Sequence, residues 1–304
     1  MSRIQKQNHE IQEAISSSDD DGVKIDKIAK IRRWFQPAEG SEYYTIVQEY
    51  LAKTLTLDDA CQKIFGPIDE KICAQKLDDV NFMDLWYSIL HAARRTHYRN
   101  TALHQSMLSL VAKFKKHSIA NHEKYNYLYD SLTDLSMACR ETYNDQPSPE
   151  SPFPLEGIAW SNLNYFLALL TGTRLVDNAI FAIWAMREAL ETKLEDDETC
   201  TALSKYDLYV PAAAVWILGA HAVLHDKEED VTPKDEKHGN PARGGELWHG
   251  KAEFSKQRWH FWKNRFATIV GQADDGLSET VRAIVKDAVG VMERTATLEK
   301  VQGR

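Results

Sequence analysis

The 304-residue chain lacks most of the features by which a sequence announces a site. Its four cysteines, Cys61, Cys73, Cys139 and Cys200, form no Cys-x-x-Cys pair. That excludes a zinc knuckle and a disulfide framework, and fits reduced thiols in the cytoplasm. No G-x-S-x-G elbow, P-loop or G-x-G-x-x-G occurs, and Gly244-Gly245 alone is too short a signal for phosphate, so no cofactor is expected. No alternation of β-branched and polar residues is long enough for a strand. Asp21-Gly22 and Asp275-Gly276 sit between helical segments, not between strands. The longest uncharged stretch, Tyr209–Leu224, falls short of the roughly 20 residues that span a bilayer, so no membrane is expected. The first ten residues hold no apolar run for a secretion signal, and Val-Gln-Gly-Arg at the end carries no lipidation or peroxisomal signal. Basic charge is short as well. Lysine and arginine total 37 against 45 acids, and a net charge of −8 counts against nucleic acid.

What is present is helical periodicity. Residues 1–22 are mostly polar and include Ser16-Ser17-Ser18-Asp19-Asp20-Asp21, a run too poor in apolar groups to offset its ordering entropy, and are expected to form a mobile lead-in. From Val23 onward Ile25, Ile28, Ile31 and Phe35 share a helical face. Ser41 is placed to cap a helix through about Thr54, and Thr56 with Asp59 forms a capping box. Further helices are expected over residues 80–96, 100–116 and 118–143. Pro147, Pro149, Pro152 and Pro154 then make 146–154 an extended connector. Beyond it, Trp160–Leu170, Val176–Glu191 and Tyr209–Leu224 are apolar around most of their circumference, as core helices are. A polar loop at 226–253 precedes helices at about 254–272 and 278–296, with Ser278 a suitable N-cap. The fold class is all-α: a multi-helix bundle with central apolar helices in the C-terminal half and amphipathic helices around them. Residues 23–304 are expected to be one helical domain in two packed halves, 23–145 and 155–298.

An aromatic-rich helical chain of this size raises the chemistry of terpene cyclases, which hold diphosphate through metal on Asp-Asp-x-x-Asp. The pairs Asp58-Asp59, Asp78-Asp79, Asp196-Asp197 and Asp274-Asp275 are followed at the third ligand position by Gln62, Phe82, Cys200 and Ser278, and none fits. Asn144-Asp145 with Ser148 begins the second metal motif, but Pro152 stands where its Glu belongs. His221 and His225 share a helix face with Asp226 or Glu229 nearby. Without His-Glu-x-x-His the plainer role is to favour a helix C-terminus, and no metal site is expected.

The least ordinary segment is 245–266. On a wheel of about 100° per residue begun at Phe254, the aromatics Phe254, Trp259, Phe261, Trp262 and Phe266 span an arc of about 160°, and Arg258 and Arg265 fall within it. Arginines among aromatics have to be paired or stacked, because an isolated buried charge costs too much. Asp177 and Glu188, on one face with Trp184, are the carboxylates expected to form structural ion pairs with them. Alternatively, Arg258 and Arg265 hold an anionic ligand in a pocket lined by Trp248, Trp259 and Trp262.

Gly-x-Leu-Trp-x-Gly-Lys followed by Phe-Ser-x-x-Arg-Trp-x-Phe-Trp-Lys-x-Arg-Phe resembles the C-terminal signature of a fungal family of all-helical proteins of unknown function. Leu163–Gly172, Ala182–Leu190 and Ala212–Ile217 are similar to that family's middle, and the resemblance covers roughly 80–296. It implies a fungal origin and a helical fold and transfers no activity. Many such orphan families belong to secondary-metabolite gene clusters.

Three functions fit these residues. The first is binding of a small apolar acid in the aromatic pocket, as in a metal-independent cyclase or isomerase. The second is a non-catalytic helical interaction or scaffold module that docks an unknown protein through the 226–253 loop. The weakest is nucleic-acid binding through Lys251, Lys256, Arg258, Lys263 and Arg265, against which the acidic total and the wheel both speak. The sequence sets no oligomeric state.

Overall fold

A computed structural model describes residues 3–37, 39–151, 153–235, 237, 239–271 and 276–302. Pro152 of the connector and the Asp274-Asp275 pair lie outside them. The chain divides into two compact units, one of Met1–Pro147 with Phe153–Leu163, the other of Ser148–Pro152 with Asn164–Arg304. Both are helical, and the all-α class holds.

In the first unit, helix α1 (Arg3–Ser16) precedes α2 (Asp21–Arg32), α3 (Tyr44–Leu51) and α4 (Leu57–Cys73). The segment expected as a mobile lead-in is thus helical from Arg3. Ile11 and Ala14, one turn apart, are buried, and Ile11 is fully so. With Ile15 packed partly buried beside them, these apolar residues at helical spacing seat a helix whose other faces are wet. Asp20 caps α2 by accepting from the Val23 amide at 3.1 Å. Ser41 Oγ accepts from Tyr44 N at 3.0 Å, which orders the start of α3. Thr56 and Asp59 form the capping box of α4.

Helix α5 (Phe82–Arg95) and α6 (Thr101–Lys115) follow, each capped by an asparagine, Asn81 and Asn100. The expected helix over 118–143 is instead broken into a short α7 (Tyr127–Asp130) and α8 (Leu135–Asn144). Asn121, Leu132 and Asp134 adopt positive φ, which ends helical hydrogen bonding although neither glycine nor proline is present. Trp86, Phe114 and Tyr129 are packed together in the interior, and the Trp86 indole donates to the Thr133 carbonyl at 2.6 Å. The apolar core is therefore not confined to the second half of the chain.

Helix α9 (Pro154–Gly172) starts on a proline, whose missing N–H costs nothing in a first helical turn. It gives residues through Leu163 to the first unit and from Asn164 to the second. The second unit continues with α10 (Ala179–Met186), one π-helical turn (Arg187–Glu191), and α11 (Ala202–Asp226). A two-residue antiparallel ladder then pairs β1 (Glu229–Asp230) with β2 (Glu253–Phe254), before α12 (Lys256–Gly271) and α13 (Glu279–Gln302). Phe254, the origin of the helical wheel, is thus a strand residue opposite Glu229, and the helix begins two residues later. Ser278 caps α13, accepting from Val281 N at 3.3 Å.

Helix α11 is the centre of this unit and packs against α10, α12 and α13. It is long and apolar enough to cross a bilayer, but most of its apolar window is buried by its neighbours. It also bends at Ala220, where φ is −139°. Trp216, fully buried, donates its indole N–H to the Asn164 amide oxygen at 2.9 Å, so its polar atom is satisfied within the core.

Candidate functional site

The segment singled out by its aromatics and arginines belongs wholly to the second unit, where it closes around one carboxylate. Glu191 is the last residue of the π-helical turn and is fully buried. Arg258, two residues into α12, is buried to the same degree and meets it in a two-pronged ion pair. Its Nε donates to Oε1 at 2.7 Å and a terminal nitrogen donates to Oε2 at 2.8 Å. The remaining positions of the carboxylate are filled as well. The Trp262 indole donates to Oε1 at 2.7 Å and the Gly245 amide donates to Oε2 at 3.1 Å. A buried carboxylate that accepts four hydrogen bonds, two of them from a guanidinium, is in the favourable geometry for a charge removed from water.

Arg258 is equally occupied. Its other terminal nitrogen donates to the carbonyls of Ala242 at 2.9 Å and Glu253 at 3.0 Å. Its guanidinium carbon lies 5.5 Å from the Trp248 ring centroid and 5.6 Å from that of Trp262, so the cation is flanked by two indoles. Trp259, also buried, sets its ring edge-on to His225 at 5.3 Å. Arg265, half-buried, donates from Nε to the Leu190 carbonyl at 3.1 Å.

The residues expected at the site therefore divide. Trp248, Trp262 and Arg258 surround one point, with Trp259 on the same helix. Arg258 faces a protein carboxylate, in place of a ligand anion, and Arg265 faces a backbone carbonyl. The carboxylate is Glu191, not Asp177 or Glu188. Asp177 instead binds Lys227 at 3.0 Å. Burial works against its charge, but the Ala179 amide and Lys227 hold its carboxyl below the usual range. Glu188 is half-buried near Tyr209, whose phenol is pushed up to about 12 by burial first and by the Glu188 charge second. His225 lies 3.1 Å from the Asp226 carboxylate and close to Lys256, and among the described residues no three metal-ligating side chains gather.

The signal for Glu191 was its place directly after the buried Ala189-Leu190, seven residues from Trp184.

What this centre organises is the loop between α11 and α12. Trp184 donates to the Pro241 carbonyl at 2.7 Å, and Arg187 to the carbonyls of Pro241 and Arg243 at 3.3 and 3.2 Å. The Leu247 amide donates to the Glu191 carbonyl at 2.8 Å, and Glu246 accepts from Lys193 N at 2.8 Å. The glycines of the motif are required by close approach. A Cβ on Gly245 would lie 2.4 Å from the Glu191 carbonyl oxygen, and one on Gly250 would lie 2.3 Å from the Trp248 indole. Gly245→Ala is accordingly expected to lower stability by about 1–3 kcal/mol through forced displacement of the loop, which a melting curve would show as a fall in Tm.

The chain matches the model of a family described as protein of unknown function (DUF3632) over residues 86–266, a span that starts at the core residue Trp86 and ends at Phe266 of the aromatic motif. No curated protein matches it, and no solved structure does.

Proposed function

This chain belongs to that family of unknown function, and we propose, from its own geometry, that it is a non-catalytic helical interaction module whose 226–253 loop is the docking element. The observation that carries the proposal is the way the loop is fastened. Its backbone is held at Pro241, Ala242, Arg243, Gly245 and Leu247 by side chains and a carbonyl of α10, the π-helical turn and α12. Its charged side chains at Glu228, Glu229, Asp230, Lys234, Asp235, Lys237 and Arg243 point to solvent. The charged stretch is anchored on both sides, by the β1–β2 ladder at Glu229 and Asp230 and by the fastened backbone from Pro241, which limits the entropy it has left to lose on binding, and that is what preorganisation contributes to affinity. A loop this long without secondary structure of its own is uncommon in a compact domain, which is what makes it a candidate for a role beyond connection.

A small apolar acid held by Arg258 and Arg265 has less in its favour, since the guanidinium that would anchor it already carries Glu191 and two carbonyls. The four cysteines form no disulfide, which supports a cytoplasmic address.

The test exchanges residues 232–239 for a Gly-Ser linker, leaving the fastened segment from Pro241 onward intact. The melting temperature is expected to stay within about 2 °C of the parent. Proteins that cross-link to the parent chain in cell extract should be lost. An unfolded variant, or an unchanged set of cross-linked proteins, would rule the docking role out.

A further inference from the structure

His91 of α5 is buried, and its two ring nitrogens are treated differently. Nε2 lies 2.8 Å from the Asp26 carboxylate of α2, so the proton of the neutral ring belongs on that nitrogen. Nδ1 is then a bare acceptor, and it is buried with no hydrogen-bond partner among the described residues. Since nearly all buried polar atoms are paired, this one calls for a reason.

Three groups cover the imidazole, and they are not equally fixed. Asp26 belongs to α2, which is seated by Ile25, Ile28 and Ala29 and tied by Arg32 to the buried Glu156 at 2.9 Å. Tyr44 belongs to α3, is itself buried, and donates its phenol proton to Asp26 at 2.8 Å. Phe35 belongs to no helix. It stands half-buried in the irregular stretch after α2, with its ring 5.0 Å from the imidazole and 5.6 Å from Tyr44. That stretch has other holds. The Trp34 amide donates to the Ala29 carbonyl at 3.1 Å, its indole lies 4.5 Å from the Arg94 guanidinium, Lys30 meets Glu39 at 2.8 Å, and Pro37 and Tyr43 are buried. None of these contacts is made by the Phe35 ring, so the ring can swing away while they persist.

The charges around the imidazole resist a second proton. Asp26 is the carboxylate that faces it, and the same oxygen also takes Tyr44 and lies 3.1 Å from Arg95 Nε. Arg95 in turn reaches the Gly22 carbonyl of α2 at 3.1 Å and Gln48 of α3. Arg94 adds repulsion from the next turn of α5, although it is directed to the Thr142 carbonyl at 2.8 Å and Asp145 at 3.5 Å. Burial first, and then the two arginines, hold the ring below the ordinary histidine range, with Asp26 opposing.

We propose that His91 and Phe35 form an acid-operated gate in the first unit: a proton is accepted at Nδ1 when the Phe35 ring moves off and lets water reach that nitrogen, while α2, α3 and α5 stay in place. With the ring closed, the new N–H would be a buried donor without an acceptor, on a cation beside two arginines. With the ring open, water accepts from it and screens the charge. The open form therefore binds the proton more tightly, and acid favours it by linkage. For one proton, the ratio of open to closed rises by up to about tenfold for each pH step of one below about 6.5.

The experiment follows the full chain by NMR from about pH 7.5 to pH 4.5, with labelled histidine and phenylalanine side chains assigned through His91→Gln and Phe35→Leu. His91 is expected to titrate below 6.5, and the cross-ring contact between Phe35 and His91 should vanish along the same curve. Amide protection of Ile28 in α2 and Leu90 in α5 should persist through it. Phe35→Ala should raise the His91 midpoint toward 6.5, because water then reaches Nδ1 at every pH, whereas Phe35→Leu keeps the cover and should move it less. A ring contact that survives the titration would overturn the proposal. So would titration of His91 that coincides with loss of protection throughout the unit, or a folded Phe35→Ala variant with the parent's midpoint. Should Phe35→Ala fail to fold, the two curves of the parent decide.

Discussion

Glu191→Ala is expected to cost about 3–5 kcal/mol of folding stability, the range for leaving one member of a buried ion pair without its partner. The substitution strands the Arg258 guanidinium between two indoles at a position with no access to water, and takes from Trp262 and Gly245 the acceptor of their N–H groups. Arg258→Met should be costly for the mirror reason, since it leaves the carboxylate buried and frees the carbonyls of Ala242 and Glu253. Combining the two changes should cost much less than the sum of the single losses, because neither charge is then left alone. Denaturant unfolding of the four proteins measures the coupling. Single losses below about 1 kcal/mol would mean that the pair does not organise the unit, and the centre would have to be reconsidered as a ligand site.

A second large effect is expected in acid. His104 is fully buried, and burial pushes its pKa down to about 4, against the carbonyls of Thr96 and His97, which favour the proton. His91 is shifted the same way, by burial first and then by Arg94 and Arg95, with Asp26 opposing. Unfolded, both titrate near 6.5. Between about pH 6.5 and pH 4 the unfolded chain therefore binds more protons than the folded one. The stabilisation is complete above 6.5 and is lost as the pH falls toward 4. For His104 alone it amounts to about 3 kcal/mol. His104→Gln would pay its own packing cost at neutral pH, but its stability curve should fall less steeply than the parent's across this window. Parallel curves from pH 7 to pH 4 would show that the imidazole is not held neutral by the fold.

How far the sequence foretold the structure varies by element, for physical reasons. The capping box at Thr56 and Asp59 and the helices at Phe82–Arg95 and Thr101–Lys115 were legible, because local hydrogen bonding and apolar spacing agree there. The break between α7 and α8 was not, since Leu132 and Asp134 enter the left-handed region without a residue type that announces it. The arginine in the aromatic arc was legible as a charge that had to be satisfied, and Trp248 and Trp262 as its neighbours. Its partner was not. A glutamate at the end of an apolar stretch looks the same whether the chain behind it turns to water or is folded under a loop. The loop that buries it follows some 50 residues later, and no local pattern encodes that contact.

The π-helical turn adds a constraint of a different order. Trp184, Arg187 and Glu191 all reach the same loop, at Pro241, Arg243 and Gly245. A π turn is an α-helical turn carrying one extra residue, and each residue of a helix swings its successors by about 100°. The loss of a single codon between Trp184 and Glu191 would let the turn relax to α-helix, and Trp184, Arg187 and Glu191 would then no longer all meet the loop at their present places. Ala189, which supplies no polar contact to the loop, is thus less replaceable by nothing than by another small residue. Here the spacing of the gene, as much as the chemistry of its residues, holds the centre together.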